Sequence, residues 1–152
     1  MPEAGKPAIS PQIAYAAIST AMLLPVIFWP LQTINNHGSA SGLNIHDIWL
    51  LSAAALLLCA VTTDSILSYQ ASTLWPFSTT AWIVLASMAV STAMRVDFGP
   101  HVLAAFFGIH ALRSTIRLWK DDKNWWLWTA WMRDSTASLS MFIWLILLQK
   151  NL

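Results

Sequence analysis

The chain has 152 residues, of which 57% are hydrophobic and only 10% are charged, and its mean hydropathy is +0.56. A soluble domain of this size carries about 25% charged residues, so this composition argues against a water-soluble fold. The formal net charge of +1 gives no reason to expect a nucleic-acid partner. The single cysteine, Cys59, excludes an intrachain disulfide and two-cysteine redox chemistry.

The eight basic and seven acidic residues leave long uncharged windows in the chain. Each window is close to the ~20 residues that a helix needs to cross a bilayer core of about 30 Å. We therefore expect an all-α, polytopic transmembrane helix bundle, with five spans favoured over four. The predicted spans cover residues 13–34, 47–68, 77–94, 101–119 and 125–148. They form one domain, 13–148, between an N-terminal tail of residues 1–12 and a C-terminal tail of residues 149–152.

The first span follows a proline-rich tail and contains Pro25 and Pro30, which predict a kink or a broken helix end. The segment Gly38-Ser39-Ala40 resembles a loose signal-peptide cleavage site. However, the uncharged run before it is longer than the 7 to 15 residues of a signal-peptide core. We therefore favour a retained helix over a cleaved signal.

The second and third spans each have a line of small side chains at helical spacing. Small faces let transmembrane helices approach closely, because lipid provides no hydrophobic drive between helices. The second span is therefore expected to be central in the bundle. The residues of these lines are Ser52, Ala55, Cys59 and Thr62 in the second span, and Thr80, Ser87 and Ser91 in the third.

The fourth span is apolar at its start and basic at its end. If it were interfacial or re-entrant, only four spans would remain, so it is the weakest of the five. With five spans, the positive-inside rule favours a cytoplasmic N-terminus and a C-terminus outside. The basic residues are Lys6, Arg113, Arg117, Lys120 and Lys123 on the inner side, against Arg95 and Lys150 on the outer side.

Tryptophan is unusually abundant, with ten residues in the chain. Because indole favours the membrane interface, a cluster of tryptophans around one polar loop predicts half of an aromatic belt. The cluster flanks the water-facing loop Lys120–Asn124 and comprises Trp119, Trp125, Trp126, Trp128 and Trp131.

The ionisable residues of the predicted inner side form one candidate site. Charges within or near hydrocarbon are costly and usually pair, so we expect Asp64 to pair with Arg113, and Asp134 with Arg117. We favour a helix-locking role for these pairs over an ion or proton pathway. That pathway would open through the polar stripe of the last span. His110 could relay protons or ligate a haem iron, but a lone histidine within a span is more often hydrogen-bonded to a neighbouring helix. The stripe consists of Thr129, Arg133, Thr136 and Ser140.

A second candidate site lies on the predicted outer side, where imidazoles and carboxylates would suit zinc or copper. No two of these histidines have the i, i+4 spacing of a helical metal site. An intrachain haem with two axial histidines is disfavoured because only His110 is deep enough in a span. The outer residues are His37, His46, Asp47, Asp97 and His101.

No serine lies in a nucleophile elbow and no glycine-rich loop could hold a phosphate, so we expect no enzyme activity. The sequence favours a non-enzymatic subunit or accessory component of a membrane complex, acting through helix association. One alternative is a small transporter or channel lined by the last span, and another is an outer-face metal or haem-associated subunit. We expect no cofactor under the first two readings. The expected partners are the lipid bilayer and other membrane subunits or further copies of the chain, in a bacterial inner membrane.

Overall fold

The computed structural model describes residues 10–35, 45–71, 76–120 and 124–150, and this part of the chain is helical, with no strands. Five helices follow one another: α1 (Pro11–Asn35), α2 (Ile45–Ala71), α3 (Pro76–Ala93), α4 (Gly99–Trp119) and α5 (Trp126–Lys150). The all-α prediction is confirmed, and every predicted span begins and ends within three residues of a helix.

Two of the helices are long and apolar enough to cross a membrane by length and composition, over Pro11–Phe28 in α1 and Asp47–Gln70 in α2. The apolar stretch of α3, Ser78–Ala93, is shorter. Helices α4 and α5 carry the charged residues of the candidate inner site, which lower their hydropathy. A signal sequence near the N-terminus and the core helix of a soluble protein also pass this test.

Helix α1 is an integral part of the bundle and packs on α2 and α5. Pro30 has no N–H to donate to the carbonyl of Val26, four residues earlier. The indole Nε1 of Trp49 on α2 donates to that carbonyl at 3.0 Å, and Nε1 of Trp144 on α5 donates to the carbonyl of Ile27 at 2.8 Å. The helix remains continuous through both prolines, and these two bonds attach it to α2 and α5.

Helix α2 is central, as predicted, because it contacts all four other helices. Consecutive helices pack side by side, and α5 closes the bundle against α1. The small-residue faces, however, were predicted with the wrong rotation. Ala55, Cys59 and Thr62 are exposed on α2, because larger neighbours such as Leu56 and Leu57 fill the core instead. The predicted line on α3 is also exposed, at Thr80, Ser87 and Ser91.

Glycines permit two close approaches around α4. A Cβ on Gly99 would lie 2.1 Å from the carbonyl oxygen of Ala93, so the turn from α3 into α4 requires a glycine. A Cβ on Gly108 would lie 3.2 Å from Oγ of Ser138 on α5. Ser138 Oγ in turn donates to the carbonyl of Ala104 at 2.8 Å. Helices α4 and α5, which contain five of the seven charged residues that lie in the helices, are thereby held close together.

The tryptophans around the α4–α5 connection differ in orientation. Trp119, Trp125 and Trp128 are exposed and Trp131 is half-buried, as an interfacial belt requires. Trp126 is the exception, because its ring is buried in a small cluster with Leu127 and Ala130. The prediction that all five tryptophans form the belt is therefore wrong for Trp126.

Candidate functional site

A network of buried charged side chains lies between α2, α4 and α5, with Arg133 at its centre. The Arg133 guanidinium donates through Nε to Oδ1 of Asp134 at 2.8 Å and through Nη2 to Oδ2 of Asp64 at 2.8 Å. Nη2 is also 3.2 Å from Oδ2 of Asp134. All three side chains are almost completely inaccessible to solvent. One cation therefore binds carboxylates from two helices and offsets part of the cost of burying their charge.

Tyr15 and His110 complete the hydrogen bonding of these carboxylates. The Tyr15 hydroxyl on α1 donates to Oδ1 of Asp64 and accepts from Nη1 of Arg133 at 3.0 Å. Nδ1 of His110 on α4 lies 2.7 Å from Oδ2 of Asp134. We refer to Tyr15, Asp64, His110, Arg133 and Asp134 as the buried network. Four helices contribute to it, so it ties the bundle together.

The buried network lies toward one end of the bundle. The start of α1, the end of α2, the end of α4 and the start of α5 lie at the same end of the bundle. Each member of the buried network is four to nine residues from the end of its own helix on that side. At 1.5 Å per residue this corresponds to a depth of about 6 to 14 Å. The charges are thus well inside the helical part of the molecule and are not at its surface.

Arg113 extends the buried network from α4 toward α3. Its Nη1 is 3.4 Å from Nε2 of His110, and its guanidinium carbon lies 4.7 Å from the centre of the Trp82 ring. Within the described part of the chain, these contacts of Arg113 include no carboxylate. The guanidinium is therefore placed by an imidazole and an aromatic face.

Two cavities adjoin this set of charged side chains. One, of about 200 Å³, lies between α1 and α5 and is lined by Ser19, Thr20, Leu23, Thr129, Met132, Arg133 and Thr136. The other, of about 580 Å³, lies between the end of α2, the start of α3 and the end of α4. Its lining includes Arg113. The cavities therefore meet the charged side chains from different sides.

The structure brings together most of the inner residues that we predicted from sequence, but with different partners. Asp64 and Asp134 both bind Arg133, so the predicted pairs with Arg113 and Arg117 are wrong. The reason is the rotation of α5, which turns Arg133 toward the bundle interior. Arg117 donates instead to Oγ of Ser68 at 2.8 Å, and its guanidinium carbon lies 5.0 Å from the Trp126 ring centre.

The polar stripe of α5 faces protein over most of its length. Thr129, Arg133 and Thr136 line the smaller cavity, as expected for a stripe that avoids lipid. Ser140, one turn further along, is half-buried and lies outside that lining.

Among the described residues, the potential metal ligands that lie close together are Asp64, His110 and Asp134, with ligand atoms within 4.8 Å of one another. The Arg133 guanidinium already occupies the space between the carboxylates at 2.8 Å from each. A divalent cation there would lie beside a positive charge at low dielectric. The arrangement therefore suits an internal ion pair better than a metal.

The outer metal site proposed from sequence stays a prediction. His37 lies outside the described residues, as does the side chain of His46. Asp47, Asp97 and His101 are exposed, and no three described outer residues bring ligand atoms within metal-binding distance of one another.

Sequence reasoning missed Tyr15 and Trp82 as members of the site. Each carried a recognisable signal, because Tyr15 is a lone phenol in an apolar span and Trp82 lies away from the interfacial cluster. A hydroxyl or indole in such a position usually has a polar partner when it is buried.

Comparisons of this chain with protein-family models, with curated proteins and with solved structures found no match. The functional reading therefore depends on the site itself.

Proposed function

We propose that this chain is a small integral membrane carrier that moves protons or small ions past the buried network of a five-span bundle. Membrane placement is supported by large apolar side chains on the outer surface of every helix. Ile18, Leu51, Met88, Leu112 and Leu139, one on each helix, expose between 58% and 63% of their surface. With charges inside and apolar side chains outside, the polarity of the bundle suits lipid rather than water.

The proposed orientation is N-terminus cytoplasmic and C-terminus outside, in a bacterial inner membrane. The end of α4 and the start of α1 share one end of the bundle. Arg113, Arg117 and Lys120 belong to that end, and an excess of basic residues near span ends is typical of the cytoplasmic side.

The observation that carries the transport proposal is a continuous chain of ionisable groups between the two cavities. Arg133 lines the smaller cavity and binds Asp134, which binds His110, which in turn contacts Arg113 in the wall of the larger cavity. The successive distances are 2.8, 2.7 and 3.4 Å. Ionisable groups inside a membrane span are costly, and they commonly mark ion or proton pathways.

His110 is the member of this chain that can exchange a proton, because imidazole accepts a proton at one nitrogen and releases it from the other. Its Nδ1 lies 2.7 Å from Oδ2 of Asp134, and its Nε2 faces Arg113 in the wall of the larger cavity. His110 therefore links the carboxylates of the buried network to that cavity.

A proton-flux assay on His110→Gln tests the proposal. Glutamine keeps similar volume and hydrogen-bonding capacity but cannot relay a proton. In proteoliposomes with an internal pH-sensitive dye, the wild-type chain should dissipate an imposed pH gradient faster than empty liposomes. His110→Gln should fall to the empty-liposome rate, and the matched control Cys59→Ala, at an exposed position, should remain at the wild-type rate. Undiminished flux in His110→Gln would contradict the relay.

A second candidate function, a subunit acting by helix association, is favoured by the outward-facing small residues of α2. Ala55, Cys59 and Thr62 would let a partner helix approach the backbone of α2 closely. Cys59 allows a direct test in native membranes, because a bifunctional maleimide should cross-link it to a second copy of the chain. Cys59→Ser should abolish the product. Absence of any cross-linked product, together with a monomer in native mass spectrometry, would oppose self-association.

A further inference from the structure

The larger cavity has one wall with two different rows of side chains on α4. Arg113, Arg117 and Lys120 follow one another at spacings of four and three residues, so they lie on one face of the helix. Ile109, Leu112 and Ile116 form an adjacent apolar row that also lines the cavity. These three side chains are 46% to 58% exposed, so the cavity is a groove open to the surroundings of the bundle.

Arg113 is the basic residue of this groove that lies farthest from the end of α4. The guanidinium of Arg113 rests against Trp82 and His110 and, within the described ranges, meets no carboxylate. Ser78 and Thr79, from α3, also line the groove. Guanidinium and ammonium groups together suit phosphate oxygens, because they supply several charge-assisted donors.

The dimensions of the groove match one half of a bilayer. Eleven residues separate Ile109 from Lys120, which at 1.5 Å per residue is about 17 Å. Half of a bilayer hydrocarbon core is about 15 Å. The basic residues occupy the end of the groove nearest the helix terminus, where headgroups lie, and Ile109 is at the deep end. The volume of about 580 Å³ is also within the usual range of ligand sites.

We propose that this groove binds a phosphate-bearing anionic membrane lipid, with its headgroup on Arg113, Arg117 and Lys120 and an acyl chain along Ile109, Leu112 and Ile116. A lipid fits better than a soluble anion because most of the wall is apolar and the groove opens sideways. The inference requires the chain to lie in a bilayer, but it does not require transport. Binding can therefore be tested independently of flux.

Native mass spectrometry of the detergent-solubilised full chain tests this directly, with phosphatidylglycerol, phosphatidylcholine and inorganic phosphate as separate probes. Phosphatidylglycerol should bind about tenfold more tightly than phosphatidylcholine. Its headgroup carries a net negative charge, whereas the choline ammonium of phosphatidylcholine balances the phosphate. Equal retention of the two lipids would overturn the proposal. Displacement of phosphatidylglycerol by millimolar phosphate would also overturn it, since the site would then be one for a soluble anion.

Variants locate the binding to the groove. Lys120→Gln changes an exposed side chain and should weaken phosphatidylglycerol binding about fivefold without affecting the fold. Arg117→Gln should weaken binding at least as much, whereas Arg95→Gln, at the opposite end of the bundle, should leave it unchanged. If Lys120→Gln and Arg117→Gln both bind like Arg95→Gln, the headgroup site is elsewhere and the proposal fails.

A second pair of substitutions, a test variant and its control, examines the apolar half of the groove. Leu112→Ser should reduce retention of long-chain phosphatidylglycerol, while Ile146→Ser changes a similarly exposed side chain on α5 and should not. An equal effect of the two substitutions would show that the acyl chain does not follow α4, contradicting the proposed orientation.

Discussion

Replacing Arg133 with alanine removes the cation that holds two buried carboxylates from different helices. The guanidinium makes contacts of 2.8 Å with both Asp64 and Asp134 and a further hydrogen bond of 3.0 Å with Tyr15. Because these groups are buried, their charges cannot be solvated after the substitution. Breaking a buried ion pair from one side costs about 3 to 5 kcal/mol.

This cost can be converted into a thermal shift. For a chain of roughly this size, 1 kcal/mol corresponds to about 2 to 4 °C in Tm, so Arg133→Ala should lower Tm by roughly 6 to 20 °C. Tm can be measured in detergent by the fluorescence of the chain's tryptophans. The matched control is Arg95→Ala, because Arg95 is exposed and exposed substitutions usually change stability by less than about 0.5 kcal/mol.

A second variant separates charge from packing. Arg133→Met combined with Asp64→Asn and Asp134→Asn removes every formal charge from the centre of the buried network while keeping similar volumes. Replacing a whole buried ion group costs much less than breaking it. The triple variant should therefore recover a large part of the lost Tm. If Arg133→Ala melts like Arg95→Ala, or if the triple variant melts below Arg133→Ala, the reasoning about a buried, mutually compensating network is wrong.

Two further substitutions test single hydrogen bonds between helices. Tyr15→Phe removes the hydroxyl that donates to Asp64, a bond to a charged group worth about 1.5 to 3 kcal/mol, and should lower Tm by roughly 3 to 12 °C in the same fluorescence assay. Trp49→Phe removes the indole N–H that donates to the buried carbonyl of Val26, which Pro30 cannot do. The substitution should lower the free energy of unfolding by about 1 to 3 kcal/mol. Trp128→Phe, at an exposed position, is the control for both, and an equal loss of Tm in that variant would refute them.

The positions of the helices could be predicted from the sequence because they depend on the length of uncharged runs. Each predicted span agrees with a helix to within three residues. Asp64, His110, Arg133 and Asp134, which the sequence assigns to one side of the bundle, contact one another in the structure. The positions of charged residues along their spans are sufficient for this inference. Their depth follows from counting residues from each helix end.

The pairing of those residues could not be predicted, because it depends on how each helix is rotated about its axis. The apolar side chains of α2 and α3 are spread around the whole circumference of each helix. Neither sequence therefore shows which face of the helix points into the bundle. The small-residue lines were consequently expected to face inward, whereas Ala55 and Ser87 are exposed. The rotation of α5 about its axis also decided that Arg133, and not Arg113, binds Asp64.

The sequence by itself determined that this chain is all-α and where its five helices begin and end. Only the tertiary structure decided that a single guanidinium joins two carboxylates, that Tyr15 and Trp82 belong to the site, and that Arg113 faces a groove. The physical reason is that spans follow from local hydropathy, whereas the partners of a buried charge depend on contacts between distant segments. Tyr15 and Arg133 are 118 residues apart in the chain and 3.0 Å apart in the fold.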